Sequence, residues 1–94
     1  MSEPAAGSWT ARLRVTVSDP SLAEWLERAL RPEAAREVPR TRATVGRGPD
    51  GSVEVSVSAL DSGALRAAMN TYLGWIHLAL STAETARAAG GVRA

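Results

Sequence analysis

The 94-residue chain contains no cysteine, no phenylalanine and no lysine, and it has a single histidine. The missing cysteines exclude disulfides, thiol catalysis and thiolate metal centres. The one imidazole, His77, has no ligand set near it in the sequence, so neither a metal nor a cofactor is expected. No apolar run approaches the roughly 18 residues of a membrane span, and no membrane contact is expected. The opening MSEPAAGS lacks the basic and apolar segments of a secretory signal, which predicts a cytoplasmic protein. A formal net charge of +1 argues against a strongly basic nucleic-acid binder, although all 11 basic residues are arginine, whose fork suits carboxylate and phosphate.

What is present is alanine, valine and leucine with 3 tryptophans, in a chain that is 45% hydrophobic. The length allows one domain, and a domain of this size buries only about 60–65% of the surface its unfolded chain exposes. Its own core is thin, and association with itself or with a partner would add what the core lacks.

Residues 1–8 and 88–94 are rich in small residues, glycine or proline and are expected to be flexible tails around one domain spanning 9–87. From Trp9 to Val17 the alternation is unbroken, with Trp9, Ala11, Leu13, Val15 and Val17 on one side and Thr10, Arg12, Arg14 and Thr16 on the other. That pattern predicts a half-buried first strand. Ser18-Asp19-Pro20 offers a cap followed by proline in the first turn, and Glu24 three places after Ser21 fits a capping box. Leu22, Trp25, Leu26, Ala29 and Leu30 follow helical spacing, and Pro32 predicts a helix end near Leu30. Thr41–Arg47 reads as a second strand, Gly48-Pro49-Asp50-Gly51 as a turn, and Ser52–Ala59 as a third strand closing a hairpin. Asp61 or Ser62 then caps a second helix running to about Arg87.

The expected fold is therefore α+β: a three-stranded antiparallel sheet with two helices on one face, in the order strand-helix-strand-strand-helix. Placing the third strand between the other two makes all neighbours antiparallel and leaves two sheet edges as candidate dimer contacts.

The second helix carries the functional signal. Leu65, Met69, Tyr72, Leu73, Ile76, Leu80 and Ala83 form one stripe for the sheet. Ala64, Ala67, Ala68, Thr71, Trp75 and Leu78 widen the apolar sector to roughly 240° of the helix circumference. Arg66, Asn70, Gly74, His77, Ser81 and Glu84 supply a narrow polar side. One sheet face cannot cover so wide a sector, so the flank meets the first helix or another protein. Small residues at Ala67, Ala68, Thr71 and Gly74 permit close approach and Trp75 and Leu78 provide area, which makes Ala67, Thr71, Trp75 and Leu78 the candidate partner interface.

The run Ala59-Leu60-Asp61-Ser62-Gly63-Ala64-Leu65-Arg66-Ala67-Ala68-Met69-Asn70-Thr71-Tyr72-Leu73-Gly74-Trp75-Ile76 resembles the signature of the Pcc-type small subunits of the archaeal and eukaryotic KEOPS complex, which are related to the LAGE and ESO antigens. Leu30-Arg31-Pro32-Glu33 is similar to the family's Leu-x-Pro-Glu, and the likeness runs from about Leu13 to Leu80. It implies a homodimer or a dimer with a paralogue. It further implies docking of the helices on the catalytic ATPase-fold subunit, and a non-catalytic part in threonylcarbamoyladenosine modification of tRNA, with tRNA contacted indirectly or weakly. Leu65, Tyr72, Leu73 and Ile76 match core positions; Arg66, Asn70 and Trp75 match motif positions without assigned roles. Gly74 departs from the family, which more often has a long or charged residue there.

Arg12, Arg14, Arg40 and Arg42 are placed by alternation on the outward sheet face, with Glu54 beside them. They are candidate RNA contacts, and a stand-alone RNA-binding adaptor is the alternative function. No aromatic accompanies them, so such binding would be sequence-blind. His77 lacks an orienting partner and a nucleophile, and the glycines form no phosphate-binding loop. No enzyme activity is expected.

Overall fold

The computed structural model describes residues 9–88. The expected tail at 1–8 and all but the first residue of the one expected at 88–94 lie outside the described residues; Ala88 ends the second helix. The elements are β1 (Trp9–Val15), α1 (Pro20–Ala35), β2 (Thr41–Arg47), β3 (Val53–Ala59) and α2 (Ser62–Ala88). They form the predicted α+β fold, with a three-stranded sheet in the order β1-β3-β2 and both pairings antiparallel. The register sets Leu13 and Val45 on either side of Val55, and Arg12 and Thr44 on either side of Ser56. Odd-numbered residues therefore face the helices and even-numbered ones face away.

β3 is central and its valines are the floor of the core. Val53, Val55, Val57 and Ala59 are buried with Ala23, Leu26 and Leu30 of α1 and with Tyr72 and Ile76 of α2. On the flanking strands the inward residues Leu13, Val15, Ala43 and Val45 are only half-buried. The hydrophobic core thus narrows quickly away from the central strand.

α1 begins as predicted: Asp19 caps it, accepting the Ser21 N–H at 2.9 Å, with Pro20 in the first turn. It does not stop near Leu30. The helix continues through Pro32 to Ala35. Proline removes a hydrogen bond to the carbonyl of Arg28, one turn earlier, and Arg28 lies on the exposed side, where the carbonyl is accessible to solvent at little cost. Continuing adds a turn that brings Glu33 and Ala34 against the rest of the domain. Glu27 pairs with Arg31 within α1 and, at 3.5 Å, ties the helix to the sheet through Arg47 at the end of β2. The Arg31 hydrogen bond, opposed in part by burial, holds its carboxyl below the usual range.

The hairpin between β2 and β3 closes as its glycines predict. Gly48 donates to the Ser52 carbonyl at 2.8 Å, and Gly51 adopts the left-handed φ of 86° that favours glycine. A methyl group on Gly48 would sit 2.6 Å from the Ser52 hydroxyl oxygen, so the turn has no room there for a side chain.

α2 is capped by Asp61, whose Oδ1 accepts the Ala64 N–H at 2.7 Å and whose Oδ2 accepts from Arg40. Arg40 was expected on the outward face of the second strand. It lies instead in the turn before β2 with a φ of 69°, because Thr41 N–H bonds back to the Val38 carbonyl and the chain must reverse there. The Ala64 hydrogen bond and the Arg40 guanidinium hold the Asp61 carboxyl below an aspartate's ordinary 3.8. A depressed folded-state pKa contributes stability that is complete above the unfolded value and is lost as pH falls through the folded one. We therefore expect Asp61→Ala to lower the thermal midpoint at neutral pH, with the gap from the parent closing below about pH 3.8. Melting curves across the acid range would show it, and a gap that stays constant into strong acid would count against the cap.

Candidate functional site

Seven half-buried or buried residues of α2 pack inward: Leu65, Ala68, Met69, Tyr72, Ile76, Ala79 and Leu80. Leu73, expected in the same stripe, is 49% exposed. It stands at the margin nearest the polar side of the helix, and the sheet is too narrow to reach it. Trp75 is 40% and Leu78 56% exposed, and Ala67 and Thr71 are exposed as well. All four candidate interface residues are thus accessible in the single chain, while Ala64 and Ala68 are half-buried.

α1 was one of two elements that could have covered this flank. It leaves it open instead, and two grooves run along the seam between the helices. The first, about 220 Å³, lies where the end of α1, the Val38-Pro39 segment and β2 meet Ala64, Ala67, Ala68, Thr71 and Tyr72. The second, about 260 Å³, is walled by Trp25, Ala29 and Leu30 of α1 and by Trp75, Leu78 and Ala79 of α2. Glu33 borders both. The four residues chosen from the sequence are therefore divided between the grooves, Ala67 and Thr71 lining one and Trp75 and Leu78 the other.

The seam is chemically quiet. Thr71 Oγ1 donates to the Ala67 carbonyl at 3.0 Å, so its hydroxyl is already satisfied within the helix. Burial, reinforced by the negative charge of Glu33, pushes the Tyr72 phenol up, which keeps it protonated. Glu33 itself pairs with Arg36 at 3.3 Å. Among the described residues no group of three or more His, Asp or Glu is arranged to hold a metal ion, and no helix is long and apolar enough to cross a membrane. Two tryptophans and a leucine around the second groove, and alanines along the first, suit the apolar side chains of another helix.

Trp25, which follows the helical spacing of the first helix's apolar residues, is 41% exposed. The buried stripe of α1 is Ala23, Leu26 and Leu30, and Trp25 and Ala29 sit one position earlier on the flank turned to α2. That offset was available in the sequence. Glu33 could not be found the same way, because its place in the seam depends on α1 continuing past Pro32.

The arginines do not form one cluster. Arg14 holds Glu54 at 2.9 Å across β1 and β3, and Arg40 is bound to Asp61. Arg12 and Arg42 project from opposite edge strands with Ser56, Ser58, Thr10 and Thr44 around them. His77, Arg66 and Asn70 are exposed on the polar side of α2.

Fold and surface together define a small α+β module with a partly exposed apolar helix layer. The model of the family described as transcription factor Pcc1 matches residues 10–84, which is most of the chain, and the protein belongs to that family. No curated protein matches it significantly.

Gly74 lies on the exposed side of α2, and a methyl group there would meet nothing within 4 Å. Nothing in the single domain requires glycine at this position. We expect Gly74→Ala to stabilise the isolated chain by about 1 kcal/mol through helix propensity, measured by urea unfolding. A loss of stability would show that the exposed side of α2 is already packed in the isolated protein.

Proposed function

We propose that this protein is a non-catalytic scaffold subunit of the KEOPS complex, supporting threonylcarbamoyladenosine modification of tRNA without performing the reaction. It docks by its two helices on the catalytic ATPase-fold subunit and associates with a second copy of itself or with a paralogue. Membership of the Pcc1 family supports the assignment to this class of subunit. The observation that carries the docking is the seam itself: Trp25, Trp75 and Leu78 remain 40% or more exposed around an apolar groove. Leaving such a surface open in water has a cost that a partner helix removes, since a fully buried leucine is worth about 1.5–3 kcal/mol.

The helix layer also explains the distribution of function across the fold. The sheet supports α1 and α2 at a fixed spacing, and the seam between them is the feature a partner helix reads. A stand-alone RNA-binding adaptor using the outward sheet face fits less well, because Arg14 and Arg40 are engaged by Glu54 and Asp61 and only Arg12 and Arg42 stand open. Such an adaptor would bind tRNA by itself with a steep dependence on salt.

Trp75→Ala should weaken binding to the ATPase-fold subunit by about 2 kcal/mol or more, roughly thirty-fold in Kd, while the variant keeps its circular dichroism spectrum. Calorimetric titration of the purified partners measures this. Unchanged affinity in a folded variant would remove Trp75 from the interface, and tRNA binding by the isolated chain with no affinity for the ATPase-fold subunit would favour the adaptor.

A further inference from the structure

Charged groups are scarce in the seam between the helices. Glu33 is the one charged residue bordering the second groove, and it shares the first only with Arg36. Its side chain is 27% exposed, and Oε1 accepts from the Arg36 guanidinium at 3.3 Å. Oε2 has no hydrogen bond within the described domain. The tie to Arg36 is weak, because it joins residues three apart at the end of α1 and the arginine is 70% exposed, where solvent screens the pair.

Tyr72 adds a second unfilled position on the first groove. The residue is 6% exposed, yet its hydroxyl makes no hydrogen bond within the described domain. Ser52 Oγ is the only fully buried side-chain oxygen or nitrogen left without a partner among the described residues. The phenol oxygen therefore keeps contact with solvent, and the groove that Tyr72 lines supplies it. Burial and the nearby charge of Glu33 keep the phenol protonated, so its oxygen carries no charge of its own but retains lone pairs for a donor. Trp25 and Trp75 wall the groove on the other side of Glu33, and the face of an indole attracts a cation.

These groups decide what a docked helix must bring. A helix presenting only apolar side chains would strip water from Glu33 Oε2 and from the Tyr72 hydroxyl and replace it with nothing, which is unfavourable for a carboxylate above all. An acidic side chain would meet Glu33 as a like charge. A basic side chain answers each group: its apolar stem lies along the groove and its head donates to the free carboxylate oxygen and to the phenol. Arginine fits better than lysine, because its planar fork can reach two acceptors at once and stack on an indole.

We propose that Glu33 selects the helix that docks in this seam, and that this helix carries an arginine within its apolar face whose guanidinium takes Arg36's place on the Glu33 carboxylate beside the Tyr72 hydroxyl. The inference rests on the docking reading above and adds the chemistry of the occupant.

Calorimetric titration of the ATPase-fold subunit with the parent chain and with Glu33→Gln, Tyr72→Phe and Arg36→Ala, at low and high salt, tests it. Urea unfolding of each free variant reports its stability in parallel. Glu33→Gln keeps the shape of the side chain and removes its charge; it should weaken binding about tenfold or more and flatten the dependence on salt. Tyr72→Phe should weaken binding several-fold without lowering the stability of the free chain, in which the hydroxyl has no partner. Arg36→Ala should tighten binding, because no guanidinium has to leave the carboxylate first. If Arg36→Ala instead weakens binding as much as Glu33→Gln does, Glu33 acts only by steadying the end of α1, and the inference is overturned. Equal or tighter binding by Glu33→Gln, with the parent binding well, shows an apolar occupant and overturns the inference while leaving the docking intact. A parent with no affinity for the subunit overturns the docking and the inference with it.

Discussion

A mismatch in length and circumference governs this molecule. α2 has 27 residues and is about 40 Å long, whereas the seven-residue strands beneath it extend about 23 Å. The helix is also apolar around more of its surface than one sheet face can cover. Three strands with a single fully buried member give it a narrow floor, and α1 closes only part of the remainder. Every exposed apolar group of the helix layer follows from that imbalance: Trp75 and Leu78 on one flank, Leu73 on the other, and Trp25 across the groove from Trp75.

The same constraint assigns different work to the three surfaces of the domain. The outward sheet face is polar, with serine, threonine and arginine standing over the backbone of the core strands. Each edge strand carries two arginines, Arg12 and Arg14 on β1 and Arg42 and Arg47 on β2. The helix layer has tryptophans around one groove and alanines along the other, with the Thr71 hydroxyl and one Glu33 oxygen partnered inside the chain.

Alternation in Trp9–Val15 and Val53–Ala59, the cap at Asp19 and the hairpin glycines are local signals, so the order of elements and the sheet topology were legible in the sequence. The exposed flank of α2 was legible too, because helical spacing alone shows when an apolar sector is too wide. What escaped were quantities set by neighbours. Leu73 shares the periodicity of the core stripe, and only the width of the sheet excludes it. Pro32 signals an end to α1, yet the contacts of Glu33 and Ala34 with the rest of the domain carry the helix onward. Arg40 keeps the parity of an outward strand residue, but the turn from Val38 to Thr41 takes it out of the strand and gives it to Asp61.

The central claim is that the seam between α1 and α2 is open in the isolated chain and closed by the ATPase-fold subunit. Fluorine NMR of the chain carrying 5-fluorotryptophan at Trp9, Trp25 and Trp75, with unlabelled partner, tests it directly through the solvent isotope shift of each resonance. The account predicts solvent-sensitive signals for Trp25 and Trp75 in the free protein that become insensitive in the complex. Signals already shielded in the free monomer, or still solvent-sensitive when the partner is saturating, would contradict it.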